Sequence, residues 1–216
     1  MKRFMVLILC ICLACTFAAC AKEEKVDKVE KTLLIGDSLF DLWHDTYKTD
    51  LEGMPNLENI AIGGTHSLYW NKGWRVVVGE EPTTIIICVG TNNIADLRET
   101  GEEAATGENG IQAMLNTLHE NCPDAYIYLL TIPICGEKNR WDARDEIKVC
   151  NALMREYCEG LDWAEIIDVE TAFYDDNNYE NKPNPDYFQP DYLHFSVEGY
   201  QVLTRVMREA LGLDQK

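Results

Sequence analysis

Five strand-like runs alternate along this chain with stretches whose apolar residues recur at helical spacing. Thr32-Leu33-Leu34-Ile35 stops at Gly36, and Leu57 to Ile62 forms a second run. Thr83-Thr84-Ile85-Ile86-Ile87-Cys88-Val89 is rich in β-branched residues and stops at Gly90. Ala125 to Thr131 ends in Ile132-Pro133, and Ala164 to Val169 is the fifth run. Short apolar runs closed by glycine or proline predict strands buried on both faces. Between them, Leu39 to about Tyr47 predicts a helix, and Ser67 to about Trp74 a short helix or loop. A helix from about Gly110 to Glu120 would put Ile111, Met114, Leu115 and Leu118 on one face. Asp142 to Cys158 has helical spacing through Ile147, Leu153 and Met154, and Val197 to Leu211 through Val202, Leu203, Val206 and Leu211. Glu170 to Asp191, rich in Asp, Asn, Pro and Tyr, reads as a long loop. Strands alternating with helices predict an α/β domain whose parallel sheet is covered on both faces, with ligands at the strand C-terminal ends.

The first 31 residues stand apart from that domain. Met1-Lys2-Arg3 is basic, and Phe4 to Ala19 is an apolar run of 16 residues, shorter than the ~18 expected of a spanning helix. This pattern reads as an export signal. Small residues before Cys20 resemble a bacterial lipoprotein site, which implies cleavage before Cys20 and a lipid on its sulfur; Cys15 is an alternative position. An ordinary signal peptide or an uncleaved anchor is the other reading. Residues 21–31 are charged, mixed in sign and without an apolar face, as expected of a tether. The expected organisation is signal 1–20, tether 21–31 and domain 32–216, held at the outer face of a bacterial membrane by its lipid alone.

Charge narrows the partners. The chain carries −18, and residues 1–31 hold six basic and four acidic residues, which leaves −20 on residues 32–216. Such a domain repels nucleic acid and anionic lipid surfaces and accepts neutral or cationic ligands more easily. Outside the signal, Cys88, Cys122, Cys135, Cys150 and Cys158 form no Cys-x-x-Cys pair and no zinc-ligand spacing, and one disulfide stays open. Asp175-Asp176-Asn177-Asn178 is oxygen-rich but lacks the glycine and full spacing of a calcium loop. No metal or organic cofactor is expected.

Four short pieces carry candidate chemistry. Ser38 follows the first strand in Gly36-Asp37-Ser38-Leu39, where it reads either as a nucleophile or as a helix cap. Asp191 and His194 are three apart, so a turn can bring the carboxylate to one imidazole nitrogen while the other faces the serine. Gly64, in Gly63-Gly64, and Asn92, in Gly90-Thr91-Asn92-Asn93, are candidate oxyanion donors, or else turn and cap residues. Trp43, Trp70 and Tyr192 are candidate substrate contacts, with core packing as the other reading. His44, His66 and His119 read as surface or packing residues, and Trp163 as core.

Taken in order, Gly-Asp-Ser, Asn59-x-x-x-Gly63-Gly64, Gly90-Thr91-Asn92 and Asp191-x-x-His194 resemble the SGNH (GDSL) hydrolase family, from about Leu33 to Leu211. Ile35-Gly36-Asp37-Ser38, Asn59 to Gly64, Val89 to Asn93 and His194-Phe195-Ser196 with Gly199-Tyr200 look most like platelet-activating-factor acetylhydrolase catalytic subunits and their bacterial relatives. The resemblance implies a flavodoxin-like three-layer α/β/α sandwich with a five-stranded parallel sheet. It implies Ser38 as nucleophile, His194 as base and Asp191 as orienting acid. The oxyanion hole would be the N–H groups of Ser38 and Gly64 with the Asn92 side chain, and Asp37 and Asn93 would support these groups. Thr65-His66 stands where many relatives have Asp-Thr or Asp-Ser, and Asn93 where many have Asp. Dimers occur among those relatives, so a homodimer is an expectation here.

The expected activity is an exported serine esterase that removes a short, acetyl-like acyl group, from a carbohydrate by reason of its location. A lysophospholipase, or a glycan-binding lipoprotein without turnover, are the alternatives.

Overall fold

The computed structural model describes residues 29–134, 143–174 and 183–214. The signal with Cys20, most of the tether, Cys135, Trp141, Tyr179 and the Asp175–Asn178 cluster lie outside the described residues.

Strand β1 is Thr32–Gly36, followed by a single helical turn, α1, at Ser38–Asp41. A 3-10 turn at His44–Thr46 and α2 at Tyr47–Asp50 lead to β2 at Glu58–Asn59. Next come α3 (Ser67–Lys72), α4 (Trp74–Gly79), β3 (Thr84–Cys88), α5 (Thr91–Ala95), α6 (Gly101–Thr106) and α7 (Ile111–Asn121). Strand β4 (Tyr126–Leu130), α8 (Arg144–Glu159), β5 (Ala164–Ile167), a 3-10 turn at Pro185–Tyr187 and α9 (Val197–Ala210) complete the order. The strands line up as β2-β1-β3-β4-β5, every neighbouring pair parallel.

Side chains alternate across the sheet and build one core on each face. Leu33, Ile35, Ile85, Ile87, Ile127 and Leu129 face Trp70, Met114, Leu118 and Met154 of α3, α7 and α8. Leu34, Ile86, Cys88 and Ile167 face Leu39 and Phe40 of α1, Leu203 and Met207 of α9, and a Phe173–Phe195 stack at 4.4 Å. The result is the expected three-layer sandwich with five parallel strands. The chain passes from β1 outward to β2 and then back across to β3, so a crevice opens beyond the ends of β1 and β3.

Three local expectations change. The single helix over Leu39–Tyr47 is broken into three pieces, because His44 takes a left-handed φ of +49. The second strand is only two residues long by its paired register. Its extension still runs beside β1, with Ile60 N–H donating to Leu34 O at 3.0 Å and Ile62 N–H to Gly36 O at 3.0 Å. Helices α5 and α6 stand where no helix was expected; α6 starts in a capping box formed by Thr100 and Glu103. Cys88, Cys150 and Cys158 are buried free thiols. Burial pushes Cys150 up to about 12 and Cys158 to about 11, so both stay protonated at neutral pH.

Gly36 fixes the contact between β1 and β3. At φ +149, a Cβ there would lie 2.0 Å from the Cys88 carbonyl oxygen. Gly36→Ala must therefore separate two central strands as well as strain the backbone. The expected loss is about 3 kcal/mol or more, read as a lower urea midpoint; an unchanged midpoint would contradict the contact.

Candidate active site

The end of β1 sets the site. Asp37 N–H donates to Cys88 O at 3.0 Å, and Asp37 Oδ1 accepts from Leu39 N–H at 3.0 Å. The carboxylate, not Ser38, therefore caps α1. Ser38 becomes the first residue of the turn, with its hydroxyl left over for other partners.

That hydroxyl lies 2.9 Å from His194 Nε2. On the far side of the ring, Nδ1 lies 2.7 Å from Asp191 Oδ2. With Nδ1–H donating to the carboxylate, Nε2 presents a lone pair to the Ser38 hydroxyl, which donates to it. Asp191 Oδ1 also accepts from Leu193 N–H at 2.9 Å and His194 N–H at 3.0 Å. Burial works to raise the Asp191 carboxyl, but the bonds from His194 and the two backbone N–H groups outweigh it and hold it below the usual carboxylate range.

Neither partner is deeply buried, with the Asp191 side chain 46% and the His194 side chain 23% exposed. Backbone bonds hold the loop instead. Gln189 N–H donates to His194 O at 2.7 Å, Tyr192 N–H to Gln189 O at 2.8 Å, and Gln189 Nε2 to Phe195 O at 3.1 Å. Tyr192 takes a left-handed φ of +56 to close the turn. Phe188 and Phe195 form an antiparallel bridge below it. Gly199 packs so tightly that a Cβ would meet Tyr187 O at 2.0 Å, and Tyr200 Oη donates to Leu39 O at 3.0 Å. The loop that carries His194 is thus bolted to the helix turn that carries Ser38.

The loop after β2 approaches from the other side. A Cβ on Gly63 would lie 3.7 Å from Ser38 Cβ, and Gly63 N–H donates to Asp41 Oδ2 at 3.0 Å. Gly64 is exposed at φ +74, with nothing within 4 Å of the place a Cβ would take. Asn92 is buried and donates one amide N–H to Thr65 O at 2.8 Å. Its amide plane is thus set by the same loop that carries Gly64. The Thr65 hydroxyl donates toward Gly36 O and Ile62 O, each at 2.8 Å, and tethers this loop back to β1.

Asn93 Oδ1 accepts from Ser67 N–H at 3.1 Å, and its Nδ2 donates to Ser67 Oγ at 2.7 Å and Glu99 Oε2 at 2.8 Å. An aspartate in its place has no N–H to offer Glu99. The departure at residue 93 therefore matches this chain's own Glu99.

The expectation that Trp43 and Trp70 touch substrate is corrected, since each is 1% exposed. Trp43 Nε1–H donates to Asp50 Oδ2 at 2.9 Å, and Trp70 Nε1–H to the Thr65 hydroxyl at 3.1 Å. Both rings are core pieces whose polar edges are satisfied internally. Tyr192 is 49% exposed within the Asp-x-x-His turn. His44 is exposed, His66 is half-buried at the start of α3, and His119 stacks on half-buried Trp163 at 4.1 Å. Sequence reading assigned no role to Thr65, Asp41 and Gln189; Thr65 and Asp41 act through backbone groups far along the chain, and Gln189 closes its own loop through His194 and Phe195. Among the described residues, no cluster of three or more His, Cys, Asp or Glu is placed to hold a metal.

Residues 34–202 match the family model described as GDSL-like Lipase/Acylhydrolase family. The chain belongs to that family. It is accordingly an acyl-ester hydrolase, and it shares the fold of several solved members. A GDSL-like lipase from Bacteroides thetaiotaomicron is 23% identical, with a TM-score of 0.70, over 93% of this chain and 95% of that one. A Streptococcus pneumoniae structure assigned to platelet activating factor is 20% identical, with a TM-score of 0.65, over 87% and 86%. A carbohydrate esterase family 3 protein from Talaromyces cellulolyticus is 15% identical, with a TM-score of 0.63, over 85% and 97%. The N-acylneuraminate cytidylyltransferase of Escherichia coli O18:K1:H7 is 25% identical over 87% of this chain. This GDSL-family chain spans 42% of that relative's length.

The low carboxyl of Asp191 has a stability consequence. A depressed folded value stabilises above the ordinary range, near 3.9, and the contribution is lost as pH falls through the folded value. Asp191→Asn keeps a hydrogen-bond acceptor but removes the charge. It should melt about 1–3 °C below native protein at pH 7, the scale of a solvent-screened pair, and the gap should narrow as pH falls below the ordinary carboxylate range. A gap that widens on acidification would reverse the assigned shift.

Proposed function

We propose that this GDSL-family hydrolase removes a short acyl group, acetyl-like, from a carbohydrate ester through a Ser38–His194–Asp191 relay. The observation that carries the reading is the unbroken chain from Ser38 Oγ to His194 at 2.9 Å and on to Asp191 at 2.7 Å. In the first half, Ser38 Oγ attacks the ester carbonyl while His194 Nε2 takes its proton. Asp191 holds the ring in the required tautomer and stabilises the imidazolium. The tetrahedral oxygen accepts hydrogen bonds from Ser38 N–H, Gly64 N–H and the Asn92 amide. The C–O bond of the leaving alcohol breaks as His194 returns the proton to it. Water then attacks the acyl-serine with His194 again as base, which releases the acid and restores Ser38. No step needs a metal or organic cofactor.

Location supports the carbohydrate half of the reading. An exported, lipid-tethered enzyme meets acylated cell-surface or environmental glycans first, and a domain of this acidity disfavours anionic surfaces. We extend the proposal to export and lipidation at Cys20, with residues 21–31 as the tether.

Ser38→Ala should reduce p-nitrophenyl acetate hydrolysis by at least about a thousandfold, and equal rates for the two proteins would end the esterase mechanism. Asn92→Ala should lower kcat about a hundredfold with KM little changed, because that donor acts on charge formed in the transition state. An unchanged kcat would remove Asn92 from the oxyanion hole.

A further inference from the structure

Beside the catalytic residues lies a separate cavity of about 450 Å³ between the Leu42–Asp50 segment and the first two turns of α9. Neither Ser38, Gly64, Asn92, Asp191 nor His194 lines it. Its walls are nevertheless the segments that carry the nucleophile and the base. Leu42 sits one turn after Ser38, with its N–H donating to Ser38 O at 3.0 Å, and Phe195 follows His194 directly. The floor is aromatic but sealed, with Trp43 stacked on Tyr200 at 5.6 Å and its indole N–H committed to Asp50.

What remains for a ligand is the rim. His44, Thr46, Gln189 and Gln201 are exposed there; the Thr46 hydroxyl donates to Trp43 O and Gln189 Nε2 to Phe195 O, each at 3.1 Å, so the rim offers the His44 imidazole, the Gln201 amide and the acceptor oxygens of Thr46 and Gln189. No lysine or arginine is among the described lining residues, and Asp50 is the one carboxylate. A phosphate or carboxylate headgroup would find no cation to pair with and would meet the field of a strongly acidic domain. A neutral polyhydroxylated ligand satisfies every group present, and the volume is that of a small-molecule site, within the ~300–1,000 Å³ typical of such pockets.

Position assigns its part of the substrate. Two of the three proposed oxyanion donors, Gly64 and Asn92, come from the loops after β2 and β3, whereas this cavity lies on the α9 side, with His194. His194 delivers the proton to the leaving alcohol, so the alcohol portion of the ester departs on the cavity's side. We propose that this cavity is a glycan subsite that holds a neutral sugar of the leaving portion, one or more units from the acylated hydroxyl. It deepens the carbohydrate-esterase reading and rests on it. A small aryl acetate is too short to engage it, which separates the two ideas experimentally.

The test uses Thr46→Ala/Gln201→Ala, which leaves the relay untouched. KM for O-acetylated xylotetraose or an O-acetylated N-acetylglucosamine oligomer should rise about tenfold, with kcat and p-nitrophenyl acetate hydrolysis unchanged. In the Ser38→Ala protein, where turnover is absent, unacetylated xylotetraose or the oligomer should shift the backbone amide signals of His44, Thr46 and Gln201. The double substitution should abolish those shifts. An unaltered KM for both glycan esters, an equal loss on p-nitrophenyl acetate, or no shift at those amides with either oligosaccharide would overturn the subsite. Preferential hydrolysis of lysophosphatidylcholine would also overturn it. Native protein that hydrolyses no ester at all would instead sink the esterase mechanism.

Discussion

The contact of Gly36 with the carbonyl of Cys88, too close to leave room for a side chain, is the constraint on which the site depends. Without a side chain at residue 36, β1 runs against β3 to its last residue and then turns away. Asp37 N–H takes the Cys88 carbonyl at that point, which fixes where α1 begins. The carbonyl of Gly36 is engaged as well, by Ile62 N–H and the Thr65 hydroxyl. One residue thus places both the turn that carries Ser38 and the loop that carries Gly64. The sheet supplies the rigidity, and the loops need only short bonds to inherit it.

A second constraint is a division of labour between neighbours. A helix start needs an acceptor for its free N–H groups, and a nucleophile needs its oxygen uncommitted. Asp37 supplies the acceptor, so Ser38 meets His194. The same separation recurs at residues 92 and 93. Asn92 donates an N–H to Thr65 O and is tied to the loop that carries Gly64, while Asn93 bonds to Ser67 and Glu99. Adjacent polar residues that look redundant along the chain therefore point to different places.

That separation explains what was legible in the sequence. β1, β3, β4 and β5 are nearly continuous apolar runs, and α7, α8 and α9 have clear apolar faces, so period and composition located them to within a residue or two. The candidate site was legible through the order of its four pieces, which resembles one hydrolase family; each piece alone read equally well as a cap, a turn or a chance pair. The break at His44 was not, since a left-handed histidine carries no local signal of its own. Helix α6 was readable in principle, because Thr100-x-x-Glu103 is a capping signature. Trp43 and Trp70 misled because an indole looks the same on a surface and in a core. Only their N–H partners, Asp50 and Thr65, decide between the two, and the packing of Trp43 against Tyr200 is set by a residue 157 positions away.

The half-exposed base loop shows what replaces burial in such a site. Water reaches Asp191, so solvent would weaken a pair held only by its charges. Here geometry does not rest on Coulomb attraction alone. The Asp191 carboxylate takes three N–H donors, and the loop is closed on itself through Gln189 and on its base through Phe188 and Phe195. A base that stays aligned while open to solvent can deliver its proton to an alcohol too large for an enclosed pocket. Under the proposed carbohydrate reading, the openness that costs the pair electrostatic strength would also leave room for a bulky leaving group on the α9 side.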